Sequence, residues 1–251
     1  MSLVLPSTGR RVPCEQCPLR VLPHFRDFTV RELDFVSSFK RGELVAEMGS
    51  TILAEGSLSP HLYTVLSGWA FRFKSLPDGR RQILNYVLPG DLVGLQGSIT
   101  GEMEHSVEAL TPMILCVFQR DRLDELFQGY PGLAFDVTWI AAREERMLDE
   151  HILSLGRRTA MERAAYLLAF LHSRAEAVGI SGTTPLQVPL SQQHVADTLG
   201  LSIVHTNKTL RKLADRKLIR WMDRSCEIID PEGLQELADW EAPAERKRPL
   251  I

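Results

Sequence analysis

No run of 18 apolar residues occurs anywhere in the 251-residue chain, so no stretch is expected to cross a bilayer as a helix. At its start, MSLVLPSTGRRVPCEQC, basic residues follow a short apolar patch. A secretory leader has the reverse order, and the expected compartment is the cytoplasm. Only four cysteines occur, and thiols in that compartment stay reduced by default. Nucleophile motifs, phosphate-cradling glycine loops and paired carboxylates are missing, and enzymatic activity is not expected. Gly42-Glu43 and Gly56 read as turns, and His61, His105, His151, His172 and His194 share no metal-ligand spacing. Neither charge dominates: 29 Lys and Arg face 32 Asp and Glu, for a net −3. With 44% hydrophobic and 24% charged residues, the chain reads as an ordinary globular protein of one or two domains.

The charge is unevenly placed. Between Ser202 and Arg220 stand Lys208, Arg211, Lys212, Arg216, Lys217 and Arg220 against Asp215 alone, a local excess of five. A basic cluster in an acidic chain is the footprint expected of phosphate contacts. On charge alone, a solvated helix face explains it as well.

Periodicity divides the chain. Residues 28–40 carry Leu33, Phe35, Val36 and Phe39 at helical spacing, with Thr29 as N-cap ahead of Glu32. From Gly42 to Phe118 follow eight short β-rich runs: LVAEM, TILAEG, HLYTVLSG, WAFRFKS, RQILNYVL, DLVGLQG, SVEALT and MILCVF. Turn signals separate them, among them Leu76-Pro-Asp-Gly79 and Pro89-Gly-Asp91. This pattern predicts an antiparallel sandwich or jelly roll.

After Pro131 the pattern is helical for nearly fifty residues. Val137, Ala141, Glu144, Leu148, His151 and Leu155 follow the four-and-three spacing of a helix–helix seam. They predict a long helix that pairs with its own copy, while Trp139, Ile140 and Met147 suit a face turned to the chain's own sandwich. Gly156 is expected to interrupt this helix and act as a hinge. A second helical run covers residues 159–179.

Ser191 is placed to cap a helix running to Leu199, Gly200 supplies a tight turn, and Ser202 caps the next helix. Two helices joined by a short Gly-containing turn form a helix-turn-helix, with Leu190, Val195, Leu199, Leu201 and Leu210 as its core. Ser191, Gln192, Ser202, Val204, His205, Asn207, Lys208, Arg211 and Lys212 are the expected DNA contacts. Asn207 suits adenine and Lys208 suits guanine, while Arg211 and Lys212 suit phosphate. IRWM, the turn Asp223-Arg224-Ser225 and CEIID read as a wing hairpin, with Arg220 and Arg224 near the DNA backbone. A last helix is expected from Pro231 to Trp240.

The order of sandwich, long helix and winged helix resembles the Crp/Fnr family of bacterial transcription regulators. The matching stretches are GWAFRF (68–73), LPDGRRQIL (76–84), PGDLVG (89–94) and LSQQHVADTLGLS (190–202). The expected class is α+β: an N-terminal antiparallel β jelly-roll sensor domain, a long dimerisation helix and a C-terminal winged helix-turn-helix domain. The expected boundaries are 1–24 for a Cys-containing segment, 25–130 for the cyclic-nucleotide-binding-like sandwich, 131–155 for the dimerisation helix, 156–240 for the DNA-binding domain and 241–251 for a mobile tail. The resemblance implies a homodimer on two-fold symmetric operator DNA, with RNA polymerase as a further partner.

Departures from the family pattern matter as much. Its cyclic-nucleotide members carry a glutamate for the ribose and an arginine–serine pair for the phosphate. Here the corresponding stretches read Gly94-Leu95-Gln96 and His105-Ser106. Leu95 cannot accept from a hydroxyl, and His105 is no substitute for a bidentate guanidinium, so tight cAMP binding is not expected. Val204-His205-Thr206-Asn207-Lys208 also differs from the usual recognition-helix sequence, so the operator cannot be transferred. Oxygen-sensing members hold an iron–sulfur cluster on an N-terminal cysteine group and a late-strand cysteine. Cys14, Cys17 and Cys116 match three such positions, and His24 is the nearby candidate for a fourth. A redox-sensing dithiol, a zinc site completed by His24, and a pair without any ligand remain open beside it. Cys226 is expected to be structural. The rival functions are a redox or metal-binding protein whose helices serve only dimerisation, and a cyclic-nucleotide sensor with altered contacts.

Overall fold

A computed structural model describes residues 12–180, 185–243 and 247–251. Thr29 starts helix α1 (Val30–Phe39) with the expected reciprocal cap: its hydroxyl accepts the Glu32 amide while the Glu32 carboxylate accepts the Thr29 N–H at 2.8 Å. Strands β1 (Lys40–Ala46), β2 (Thr51–Leu53), β3 (His61–Ser67), β4 (Ala70–Ser75), β5 (Arg81–Val87), β6 (Leu92–Val93), β7 (Ser106–Ala109) and β8 (Met113–Gln119) follow. They make two four-stranded sheets in the orders β1-β8-β3-β6 and β2-β7-β4-β5. Pairing is antiparallel for β1 with β8, β3 with β8, β3 with β6 and β2 with β7. Val65, Ala70, Val87, Val93, Met103 and Leu115 belong to the apolar cluster that fills the sandwich.

One expected strand is cut short. DLVGLQG gives only the two residues of β6 before helix α2 (Leu95–Thr100) begins. Gly94 sits at φ +92°, and its carbonyl accepts the Ser98 amide and hydroxyl, which turns the chain into a helix. After α3 (Leu123–Gly129) comes α4 (Pro131–Arg157), whose 27 residues span about 40 Å.

The expected break at Gly156 does not occur, since α4 continues to Arg157. Thr159 makes the break instead: its capping box with Glu162 opens α5 (Ala160–Glu176) and satisfies amide donors that cannot pair within the helix. Then follow β9 (Leu186–Val188), α6 (Gln192–Leu199), α7 (Ile203–Asp215), β10 (Ile219–Trp221), β11 (Cys226–Ile228) and α8 (Pro231–Ala238). These last strands form a three-stranded antiparallel sheet in the order β10-β11-β9.

The packing separates two units. One comprises described residues 73–86 and 146–243, and the other residues 12–72, 87–145 and 247–251. Residues 247–251, expected to be a mobile tail, are seated: Arg248, Leu250 and Ile251 are all buried. The expected segments at residues 1–11 and 244–246 lie outside the described residues.

Candidate nucleic-acid interface

Ser191 precedes α6 as expected, and its hydroxyl accepts the His194 amide at 3.1 Å while His194 Nδ1 accepts the Ser191 N–H at 3.2 Å. Burial is the larger cause and Arg81 the smaller in holding His194 below the usual histidine pKa, with Asp197 opposing both. The neutral ring that results is the form that can accept this hydrogen bond. Gly200 ends α6 at φ +63°, a conformation that suits glycine. Ser202 opens α7 by accepting the His205 amide at 3.3 Å.

The two helices bury Val195, Ala196 and Leu199 with Leu210 and Leu213, and Leu190 is buried beside them. Burial of Thr206, Leu210 and Leu213 fixes the rotation of α7. Val204, His205, Asn207, Lys208, Arg211 and Lys212 are all exposed in consequence. Val204, an apolar side chain at 61% exposure, suits contact with a thymine methyl. Ser191 and Gln192 are half-buried at the start of α6. In the wing, Arg224 is exposed, whereas Arg220 is held by Glu227 at 2.8 Å. An approaching phosphate must therefore compete for Arg220.

Along α4 the expected seam lies largely on a face the chain itself uses. Val137 is 2% exposed. Glu144 pairs with Arg72, and His151 Nδ1 lies 2.8 Å from the Tyr166 hydroxyl. Leu148 and Leu155 are half-buried, and Ala141 alone of the six is exposed. Phe135, Thr138, Ala142, Glu145, Asp149, Ile152 and Gly156 form one exposed row, with Leu153 beside it. Their spacing alternates three and four, and Phe135 and Ile152 are each 68% exposed. This stripe is shifted in register from the one read in the sequence.

Cys14 begins a 3-10 turn that Cys17 caps, Cys116 lies on β8, and all three interact electrostatically with the Lys40 ammonium. Burial raises all three thiols above the usual value, Cys116 to about 12, with Lys40 opposing the rise in each case. Lys40 also donates to Glu43 at 2.7 Å and to the Val12 carbonyl at 2.8 Å. Among the described residues no group of three or more His, Cys, Asp and Glu is arranged to hold a metal. An iron–sulfur cluster takes four protein ligands, and the described residues bring no such group together. Cys226 is buried on β11. Lys40 could not be found by motif, because folding alone brings it to the cysteines.

In the sandwich, Leu95 is half-buried on the first turn of α2 and His105 is buried. The Ser106 hydroxyl already accepts the Glu55 amide at 3.0 Å. These positions offer neither a carboxylate for a ribose nor a guanidinium for a phosphate.

Sequence reasoning also missed the contacts made on α6 by residues 73–86. Arg81 Nε donates to Asp197 at 2.9 Å, Gln82 donates to the Thr198 carbonyl at 2.9 Å, and the Tyr86 hydroxyl lies 2.7 Å from that of Thr198. The hairpin motif was legible, but its packing partner was not.

Comparison with known proteins adds two family matches: a cyclic nucleotide-binding domain over residues 38–130 and a Crp-like helix-turn-helix domain over residues 162–237. The chain is 31% identical over 226 residues to the nitrogen fixation regulation protein FixK of Bradyrhizobium diazoefficiens, covering 90% of this chain and 93% of that protein. It is 34% identical over 194 residues to FixK of Rhizobium meliloti, covering 76% and 84%. Among solved structures, FixK2 from Bradyrhizobium japonicum superposes with a TM-score of 0.68 at 27% identity, over 80% of this chain and 98% of that one.

Proposed function

The chain belongs to the Crp/Fnr family of transcription regulators, and from that premise we propose that it acts as a homodimer on a two-fold symmetric operator. It is a DNA-binding regulator of the Crp/Fnr type. The observation that carries the DNA reading is the exposed polar and basic face of α7, turned outward because Thr206, Leu210 and Leu213 are buried. Asn207 and Lys208 read base edges in the major groove, and Val204 touches thymine methyls. Arg211 and Lys212 hold phosphate, while Ser191 and Gln192 place the start of α6 against the DNA backbone.

Two copies pair along the exposed α4 stripe centred on Ala142 and Glu145, since Phe135 and Ile152 leave apolar surface there for a second helix to cover. A signal at the sandwich shifts the populations of two α4 arrangements and so the spacing of the two recognition helices. The signal is not cAMP, because Leu95 and His105 lack the needed chemistry. The site of action is the cytoplasm, where operator DNA and RNA polymerase are met.

Selection from a random duplex pool tests this reading. Enriched sequences should contain inverted half-sites about 34 Å apart, and their absence overturns it. Calorimetry with cAMP and cGMP should show no heat of binding. Anaerobic purification with an absorption spectrum and an iron assay tests the cluster: stoichiometric iron would overturn the account of Cys14, Cys17 and Cys116 given above.

A further inference from the structure

Residues 247–251 contain a cation, Arg248, that its unit takes almost wholly out of water. Arg248 is 5% exposed. Its Nη2 donates to the Gly90 carbonyl at 2.8 Å and to Asp91 Oδ1 at 2.7 Å, and its guanidinium lies over the Phe25 ring at 5.1 Å. The main chain is held as well. Arg248 N–H donates to the His24 carbonyl at 2.7 Å, and Arg26 N–H donates to the Arg248 carbonyl at 2.9 Å, so residues 25 and 248 form a parallel bridge. Pro249, which has no N–H to satisfy, is buried next. Leu250 and Ile251 are buried after it, and the Thr64 hydroxyl donates to the Ile251 carbonyl.

The receiving surface is organised by its own bonds. Asp91 is oriented by the Leu88 amide, which donates to its other oxygen, Oδ2, at 2.7 Å. Oδ1 is thereby left facing Arg248, with Arg143 at 3.4 Å. Gly90 stands at φ +81°, and a Cβ there would lie 2.4 Å from the Phe25 ring. The turn and the Phe25 ring, the seat of the arginine, are therefore in close contact with each other as well as with the arginine. Burying a guanidinium is unfavourable unless it is paired and hydrogen-bonded, and this seat supplies a carboxylate, a carbonyl and an aromatic face together.

We propose that this unit carries a peptide-binding site for an extended guanidinium-then-aliphatic sequence, and that residues 247–251 are its tethered occupant. Asp91, Gly90 and Phe25 take the arginine, the backbone of residues 24–26 takes the peptide main chain, and Thr64 receives the residue after the leucine. The tether raises the local concentration of the occupant, so a free peptide of the same sequence competes poorly with it.

The test uses the full chain and a labelled peptide of residues 244–251. Arg248→Ala vacates the seat, so the peptide should bind this variant at least tenfold more tightly than the unaltered chain. A peptide with alanine for Arg248 should bind neither. Hydrogen exchange should find the Arg26 and Arg248 amides protected in the unaltered chain at every protein concentration. Exchange at Arg26 should quicken in Arg248→Ala and slow again when peptide is added. Arg248→Lys, which keeps the charge but loses the planar fork, should release the segment only in part. Equal peptide binding to both chains, or none to a folded Arg248→Ala, overturns the proposal. So does loss of cooperative unfolding in Arg248→Ala, which would make the segment core rather than ligand. Protection that grows with protein concentration would assign the occupant to a second copy and overturn the proposal in its intramolecular form.

Discussion

Lys208 and Asn207 stand on one exposed turn of α7 with Val204, so their truncation removes the proposed DNA contacts without opening the core. Lys208→Ala or Asn207→Ala should weaken operator binding by about 1–3 kcal/mol and relax preference at one base position, as measured by anisotropy on single-base variants. Arg211→Ala or Lys212→Ala should weaken all duplexes alike and reduce the slope of log K against log salt by about 1. His194 offers a pH test. Its pKa is depressed in the fold, so below about pH 6.5 the unfolded chain binds more protons than the folded one. Stability is therefore complete above that pH and is lost as pH falls toward the depressed value. Thermal unfolding at pH 7.5 and 5.5 should show a smaller pH effect for His194→Gln, which keeps a side-chain acceptor at the capping position. An unchanged pH effect would remove His194 from the account.

The elements differ in how far the sequence disclosed them. Ser191, Gly200 and Ser202 could be read directly because caps and turns act over three or four residues. The rotation of α4 could not. Its sequence offers more than one apolar stripe, and the choice depends on what Val137, Ile140 and Met147 meet once folded. The two faces give opposite expectations. Ile152→Asp, on the exposed stripe, should convert a dimer to monomer in analytical ultracentrifugation while each protomer stays folded. Val137→Ala should instead cost the protomer about 1–3 kcal/mol in urea unfolding and leave the oligomeric state unchanged. The reverse result would favour the seam through Val137, Ala141, Glu144, Leu148, His151 and Leu155.

Across the whole molecule, the two family matches cover the sandwich and the helix-turn-helix that periodicity had indicated. What the sequence hid were meetings between distant residues: Lys40 beside Cys116, Arg81 on Asp197, and Arg248 on Asp91. Such pairs carry no local signature. The bridge between residues 25 and 248 also bears on synthesis. The segment around residue 25 emerges early from the ribosome, yet the piece that completes its unit is made roughly one hundred residues after Glu145. At about 5–20 residues per second, the nascent amino-terminal unit waits on the order of 5–20 s before Arg248 can reach Asp91. Until then the contacts of Arg248 with Gly90, Asp91 and Phe25 cannot form.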